Sequence, residues 1–359
     1  MGHLAQEQPY FIFVVIKMSP RWGFDLSGFL FFTNMSLLME LSDPGVAEFF
    51  SAKSLIFILQ QPKPPRMKKT WNWIKRIFQG ILVIHVSWFL FFVFADLSEA
   101  IEIKDSKQNL LILITVVGMI ALLYYFWLRK INTVKRITFY VWDVIFTVYI
   151  LSFFYFLLGF VFNPPITLTQ AGTLLQGNGL SRDYIGFDEM GPNIKLAVIA
   201  SEDQQFPDHD GFDLKAIKRA IKYNKRHPNK VRGASTISQQ TAKNIFLWQG
   251  RSKFRKGLEM FYTFTIETGW SKRTILERYL NIAEMGRGVF GVQAAAKKYF
   301  NKNAKDLTMA EAAQIAACLP NPKRYTVKPL SRYVAGRYGD IMRQMNNLAG
   351  DSDVQEIIK

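Results

Sequence analysis

Residues Gly233 to Asn244 read GASTISQQTAKN, a dense run of hydroxyl, amide and ammonium groups whose end carries helical spacing. Thr236, Gln240 and Lys243 or Asn244 fall at i, i+4 and i+7 or i+8, so they share one stripe of a helix. Each polar group on that stripe would cost about 1–3 kcal/mol if buried without a partner. The stripe therefore faces either bulk water or a polar ligand. A solvated face would normally use Glu and Lys, so a ligand-binding face is the sharper reading.

Two further constellations flank it. In Ala200 to Asp213, ASEDQQFPDHDGFD, Glu202 and Asp203 lie near the C-terminal end of an apolar helix, with Val198 one turn before Glu202 on the same face. A carboxylate there is opposed by the helix dipole and partly desolvated, and both effects raise its pKa. That suits a general acid or base working near neutrality; the bland alternative is an ordinary solvated acidic helix end. In Arg251 to Glu259, RSKFRKGLE, Arg255 and Glu259 are i, i+4 partners, Lys256 stands beside them, and Arg251 lies one turn earlier. Such a cationic cluster suits a diphosphate, which Arg binds bidentately and Lys as a point charge. A surface ion pair on a basic helix is the competing reading.

The elements that must position these groups read as helices. Asn193 precedes an apolar helix over Ile194 to Asp203, and Ser271 caps another with Ile275, Leu276, Tyr279 and Leu280 on one face. Thr308 and Glu311 form a capping box, and the helix they open stops at Pro320. No segment shows sustained strand alternation, so the expected fold class is mainly α. Three long apolar runs come earlier, at 77–95, 109–128 and 139–162, each about the length that spans a bilayer. Lys68, Lys69, Lys75 and Arg76 precede the first, and Arg129, Lys130, Lys135 and Arg136 separate the second from the third. Between the first and second stand Asp96, Glu99, Glu102 and Asp105. By the positive-inside rule the residues after Phe162 are expected outside the cytoplasmic membrane.

Composition sets limits on the chemistry. A formal charge of +17 points to an anionic partner, whether lipid headgroup, phosphate or nucleic acid. The single cysteine, Cys318, excludes an internal disulfide, and four scattered histidines make no His-based metal site. The expected organisation has five parts. Residues 1–66 form an N-terminal extension ahead of Met67, which would itself make an ordinary start. A membrane region covers 67–162, a polar connector 163–189, the helical domain 190–350 and a tail 351–359.

In order along the chain, EDQQFPDHDGFD, RGASTISQQTAKN, RKGLE, SKRTILERYLNIAEMGRGVFGVQAAAKKYF and LTMAEAAQIAACLPNPKRY resemble the motifs of the peptidoglycan glycosyltransferase family. The resemblance is to its monofunctional, membrane-anchored branch and covers about 163–348. It implies a lysozyme-like α-helical fold with a globular head and a smaller, membrane-associated jaw. It also implies polymerisation of lipid II into β-1,4-linked glycan with inversion, releasing undecaprenyl diphosphate. By the same resemblance Glu202 would deprotonate the acceptor 4-hydroxyl, and Glu259 would be the second carboxylate, near the donor. Ser235, Thr236, Gln240, Lys243, Asn244, Arg251 and Arg255 would line the donor pocket, with Asp203 and Phe206 supporting the base. A divalent cation, Mg or Mn, bridged by the substrate diphosphate is expected, with no organic cofactor.

Lipid II, the growing lipid-linked strand, the membrane and other cell-wall synthesis proteins are the expected partners, and nucleic acid is not among them. The expected location is the bacterial cytoplasmic (inner) membrane, with the catalytic domain on its outer, periplasmic side. No Ser-x-x-Lys motif occurs, so transpeptidase activity is not expected. The family's monofunctional members carry one anchor helix, whereas three spans are expected here. Two rivals remain: a lysozyme-like enzyme that cleaves glycan with paired carboxylates, and a non-catalytic membrane scaffold.

Overall fold

Helix after helix follows from Pro65 onward in the computed structural model, which describes residues 12–15, 29–32, 65–93, 106–228, 232–250 and 252–359. Arg251 and most of the N-terminal extension lie outside the described residues. The chain divides into two units, 1–76 and 77–359. In the first, strands β1 (Ile12–Val15) and β2 (Phe29–Phe32) pair antiparallel, with Ile12 opposite Phe32. Periodicity gives no warning of them, because four-residue apolar runs are too short to show alternation. Their β-branched and aromatic composition is the signal that remains.

Helix α1 (Pro65–Phe92) begins at a proline, which suits a first helical position because its missing N–H has no intrahelical partner there. Helices α2 (Ser106–Phe126) and α3 (Asn132–Leu158) follow over the second and third expected spans. Among the described residues, Lys75–Phe92 and Asn132–Leu158 are long and apolar enough to cross a membrane. A helix apolar all round is either core or membrane span. Leu111 and Ile120 on α2, with Val144 and Leu151 on α3, are exposed, so these helices are not core. Helix α3 ends at Leu158, short of the expected Phe162. A turn closes it, with Phe162 N–H donating to Leu158 O at 2.8 Å, and Asn-Pro-Pro follows.

The helical domain contains α4 (Leu168–Leu175), α5 (Pro192–Glu202), α6 (Leu214–Arg226) and α7 (Ile237–Phe246). It continues through α8 (Lys253–Gly269), α9 (Lys272–Ile282), α10 (Val292–Phe300), α11 (Met309–Cys318), α12 (Arg332–Leu348) and α13 (Ser352–Ile358). Helix α5 is its axis. Ile194 and Leu196 through Ala200 are all buried, because the sequence is apolar on every face rather than on one stripe. It packs against α11 and α12, while α7 packs against α8 and α9.

Two boundaries differ from the sequence expectation. The connector 163–189 is folded structure rather than a bare linker. Thr167 and Gln170 cap α4 reciprocally, and the Asn281 side chain brackets Ile185, accepting from its N–H and donating to its carbonyl. Strand β3 (Ser181–Arg182) pairs parallel with β5 (Val289–Phe290), whose other edge takes β4 (Glu284–Gly286) antiparallel. The tail is likewise part of the core. Val354 and Ile358 are buried, and buried Lys195 donates to Ile358 O at 3.0 Å.

Helix α8 is held by α1 and α3 as well. His85 on α1 bridges Tyr149 Oη on α3 at 3.3 Å and Thr265 Oγ1 on α8 at 3.1 Å. Phe89 and Phe92 stack around Phe261 and Phe264 with ring centroids 5.4–6.0 Å apart. The apolar Phe261 to Phe264 segment, which in sequence suits headgroup insertion or core equally, thus packs on helix α1.

Candidate active site

The end of α5 and the start of α7 are tied together by one carboxylate. Asp203, with backbone angles that leave the helix, accepts from Ile237 N–H at 3.0 Å and from His209 Nε2 at 3.0 Å. An acceptor at the first N–H of a helix satisfies an orphan donor and complements the dipole. Beneath this turn Phe206 is fully buried, with the Lys272 ammonium 4.8 Å from its ring centre. Phe206, expected to support the base, does so from the core, because no part of its ring reaches solvent.

Glu202 then points into a cleft of about 1110 Å³. Its Oε2 accepts from Gln240 Nε2 at 2.7 Å and its Oε1 from Ser201 Oγ at 3.4 Å. Burial pushes its pKa up, against the Gln240 bond, the Arg337 charge and the Ser201 bond, while Asp203 adds to the rise. The sequence expectation of a desolvated carboxylate at a helix C-terminus is what the geometry shows. The residue is neither an isolated buried acid nor a freely solvated one.

Thr236, Gln240, Lys243 and Asn244 divide by role. Thr236 is the N-cap of α7, accepting from Gln239 N–H and donating to Gly211 O at 2.7 Å. Gly211 sits at φ +86, where a Cβ would meet the Glu267 and Thr263 side chains under 3.0 Å away. The hydroxyl of Thr236 is therefore committed to the fold although the residue lines the cleft. Gln240 joins Glu202 to Tyr279, whose Oη donates to Gln240 Oε1 at 3.2 Å. Asn244 is buried and accepts from Gln249 Nε2 at 3.4 Å. Lys243 has no ion pair among the described residues. Its pKa is lowered first by burial, with Arg255 and Lys256 lowering it further and Glu259 and Glu202 opposing.

The third constellation is a buried cluster rather than a surface pair. Glu259 is 3% exposed, and its two oxygens accept from Arg255 Nη1 at 2.7 Å and from Lys256 Nζ. Arg255 Nε also donates to Gly250 O at 2.8 Å, so this guanidinium is largely committed to the protein. Lys256 reaches Ser235 Oγ at 3.3 Å and bridges the exposed Gly233–Ser235 loop to α8. Ser235, Gln240 and Glu202 share the cleft; Lys243 stands in electrostatic reach of both carboxylates. Arg251 lies outside the described residues.

Sequence reasoning missed four cations on the cleft wall: Lys215, Arg219, Arg232 and Arg337. Lys215 and Arg219 are i, i+4 on α6, a pattern that was legible as a basic helix face. Arg337 comes from α12, far along the chain, and nothing in its local sequence distinguishes it. Cys318 is buried with its thiol pushed up to about 12, first by burial, which leaves it inert.

Comparison with known proteins places the domain that holds this cleft. A transglycosylase family model matches residues 169–346. A biosynthetic peptidoglycan transglycosylase of Escherichia coli O17:K52:H18 is 58% identical over 198 residues, covering 54% of this chain and 82% of the relative. One from Shigella boydii serotype 4 is 56% identical over 198 residues, with the same coverage. One from Klebsiella oxytoca is 55% identical over 193 residues, covering 53% and 80%. Identity of this order across four-fifths of each relative means that the chain belongs to the peptidoglycan transglycosylase family.

Proposed function

We propose that this peptidoglycan glycosyltransferase polymerises lipid II, with Glu202 as the base and the Lys243–Arg255–Lys256–Glu259 cluster serving the leaving group. The observation that carries the reading is the Gln240–Glu202 bond, which turns an ionisable carboxylate into the cleft within electrostatic reach of Lys243. In the step, the acceptor 4-hydroxyl oxygen attacks the donor's anomeric carbon and its proton passes to Glu202. The bond from that carbon to the diphosphate breaks, and the oxygen leaves with the electron pair. Attack opposite the leaving group inverts the anomeric centre. Preorganised cations facing developing charge are the larger source of such stabilisation. Lys243 and Lys256 supply it directly, while Arg255 and Glu259 fix the position of Lys256. Ser235 orients the loop at the donor side through Lys256.

A divalent cation fits only as part of the substrate. Among the described residues no group of three or more His, Cys, Asp or Glu side chains is arranged to hold one. The ion would travel on the diphosphate oxygens, and no step is assigned to it.

The substrate lipid gives the apolar helices their purpose. Helices α1, α2 and α3 cross the cytoplasmic membrane, the basic segments at 67–76 and 129–136 face inward, and the domain after Phe162 lies outside. The His85 bridge ties α8, which carries Lys256 and Glu259, to helices α1 and α3. Purified full-length chain incubated with labelled lipid II and a divalent cation, with products sized on a gel, tests the reading. A ladder of long glycan supports it. Soluble fragments released from isolated sacculi, with no ladder, would instead favour a glycan-cleaving enzyme.

A further inference from the structure

Helices α2 and α3 are joined by a short turn, Leu128–Lys130, and beside it lies a cavity of about 580 Å³ that the polymerisation step does not involve. Its lining is graded along α3. Asn132, Lys135 and Arg136 stand at the turn end, Phe139 and Trp142 further along the helix, and Tyr124 contributes from α2. From Lys135 to Trp142 the helix rises about 10 Å, so cations and rings sit at different depths. Among the described residues no acidic side chain lines the cavity, and neither Lys135 nor Arg136 makes a side-chain hydrogen bond or ion pair. Arg129, in the turn itself, is instead held over the Tyr125 ring, 3.8 Å from its centre. Orienting the chain in a bilayer asks only for positive charge somewhere in this loop. It gives no reason for two uncompensated cations to share a concave site with exposed aromatic rings one to two turns deeper.

We infer that this cavity binds an anionic phospholipid of the cytoplasmic leaflet. Its phosphate oxygens accept from Lys135 and Arg136, and its glycerol and upper acyl chains lie on Phe139 and Trp142. The inference rests on the membrane-spanning reading above, which puts 129–136 at the inner face. Basic pockets between membrane helices take anionic headgroups on that side, and aromatic rings mark the interface. A free phosphate would fill the cationic end and leave the rings uncovered. A zwitterionic phosphatidylethanolamine would bring an ammonium to a site with no carboxylate to receive it. A headgroup of net negative charge, as in phosphatidylglycerol, fits both ends of the cavity.

Native mass spectrometry of the full-length chain in detergent, titrated with phosphatidylglycerol or phosphatidylethanolamine, reads the site. The parent should hold phosphatidylglycerol about tenfold more tightly than phosphatidylethanolamine. Lys135→Gln and Arg136→Gln should each weaken phosphatidylglycerol about fivefold, the worth of one interfacial cation, and about thirtyfold together. Phosphatidylethanolamine should be unmoved by either. Lys130→Gln removes a charge from the same turn but outside the cavity, and should leave both affinities at the parent value. Trp142→Ala should weaken both lipids and keep the preference. Melting should be unchanged in the three charge variants, whose side chains are exposed. Equal retention of the two lipids by the parent overturns the site. So does a Lys130→Gln loss as large as that of Lys135→Gln, which would mean diffuse attraction, or displacement of the lipid by millimolar inorganic phosphate. An active phosphatase fusion near Arg136 would move the site to the outer leaflet and fail the topology reading. Binding in detergent does not depend on orientation, so the two failures are read separately.

Discussion

Gln240 donates to Glu202 Oε2 at 2.7 Å while its own carbonyl oxygen accepts from Tyr279 Oη at 3.2 Å. Tyr279 is 1% exposed, and burial raises its pKa well above the usual phenol value, so it stays a donor. The chain phenol–amide–carboxylate fixes which way Gln240 faces and therefore which way Glu202 points. Replacing Gln240 by Met removes both bonds at similar volume. Activity on lipid II should fall about tenfold to a hundredfold, the worth of a hydrogen bond to a charged group. With a stabilising donor gone, the acid limb of the pH–rate profile should move to higher pH. A profile identical to the parent's would contradict this orientation.

Glu202 also makes a stability prediction. Its folded pKa is raised above the unfolded value, so between the two the folded state binds more protons than the unfolded. Its contribution to stability is present below the unfolded pKa and is lost as pH rises through the folded one. At neutral pH the ionised side chain therefore destabilises the domain. Glu202→Gln should melt at or above the parent temperature at pH 7, and the difference should shrink as pH falls into the carboxylate range. Calorimetry across that range decides it; a variant less stable at pH 7 than at pH 4, relative to the parent, would reverse the sign.

Lys243 and Arg255 should behave differently, although they look equivalent in the sequence. Lys243 has no ion pair among the described residues, and burial disfavours its charge, so Lys243→Ala should lose activity while melting holds or rises. Arg255→Ala leaves Glu259 buried with one partner fewer, and breaking a buried pair typically costs about 3–5 kcal/mol. Loss of activity there should come with a lowered melting temperature. Equal melting of both variants would remove Arg255 from its structural role.

The contrast shows what the sequence carried and what it did not. Helix α5, the capped starts of α9 and α11, and the carboxylate at a dipole-opposed end were legible, because caps and apolar periodicity are local. Which polar groups of Thr236 to Asn244 face the cleft was not. Thr236 and Asn244 share a stripe with Gln240 and Lys243, but their side chains are engaged by the protein, Thr236 donating to Gly211 O and Asn244 accepting from Gln249 Nε2. The tail and the connector were misjudged for the same reason. Val354, Ile358 and Ile185 are short apolar points in polar surroundings, and only tertiary contacts with Lys195 and Asn281 show that they belong to the core. Arg337 could be found only once α12 was packed against α5.

Topology is tested by reporter fusions. Because α13 is part of the core, a phosphatase should follow Lys359 rather than interrupt the domain at Leu348. That fusion should be active and one near Arg136 silent. The reverse pattern would place the cleft on the cytoplasmic side, away from exported lipid II.

The most direct measurement compares the purified full-length chain with Glu202→Gln on labelled lipid II, following glycan length and rate on a gel. The parent should build long strands, and the variant should be slower by at least ~100-fold, the lower end of a general base's contribution, while retaining its fold. Polymerisation by Glu202→Gln at near the parent rate would contradict the account.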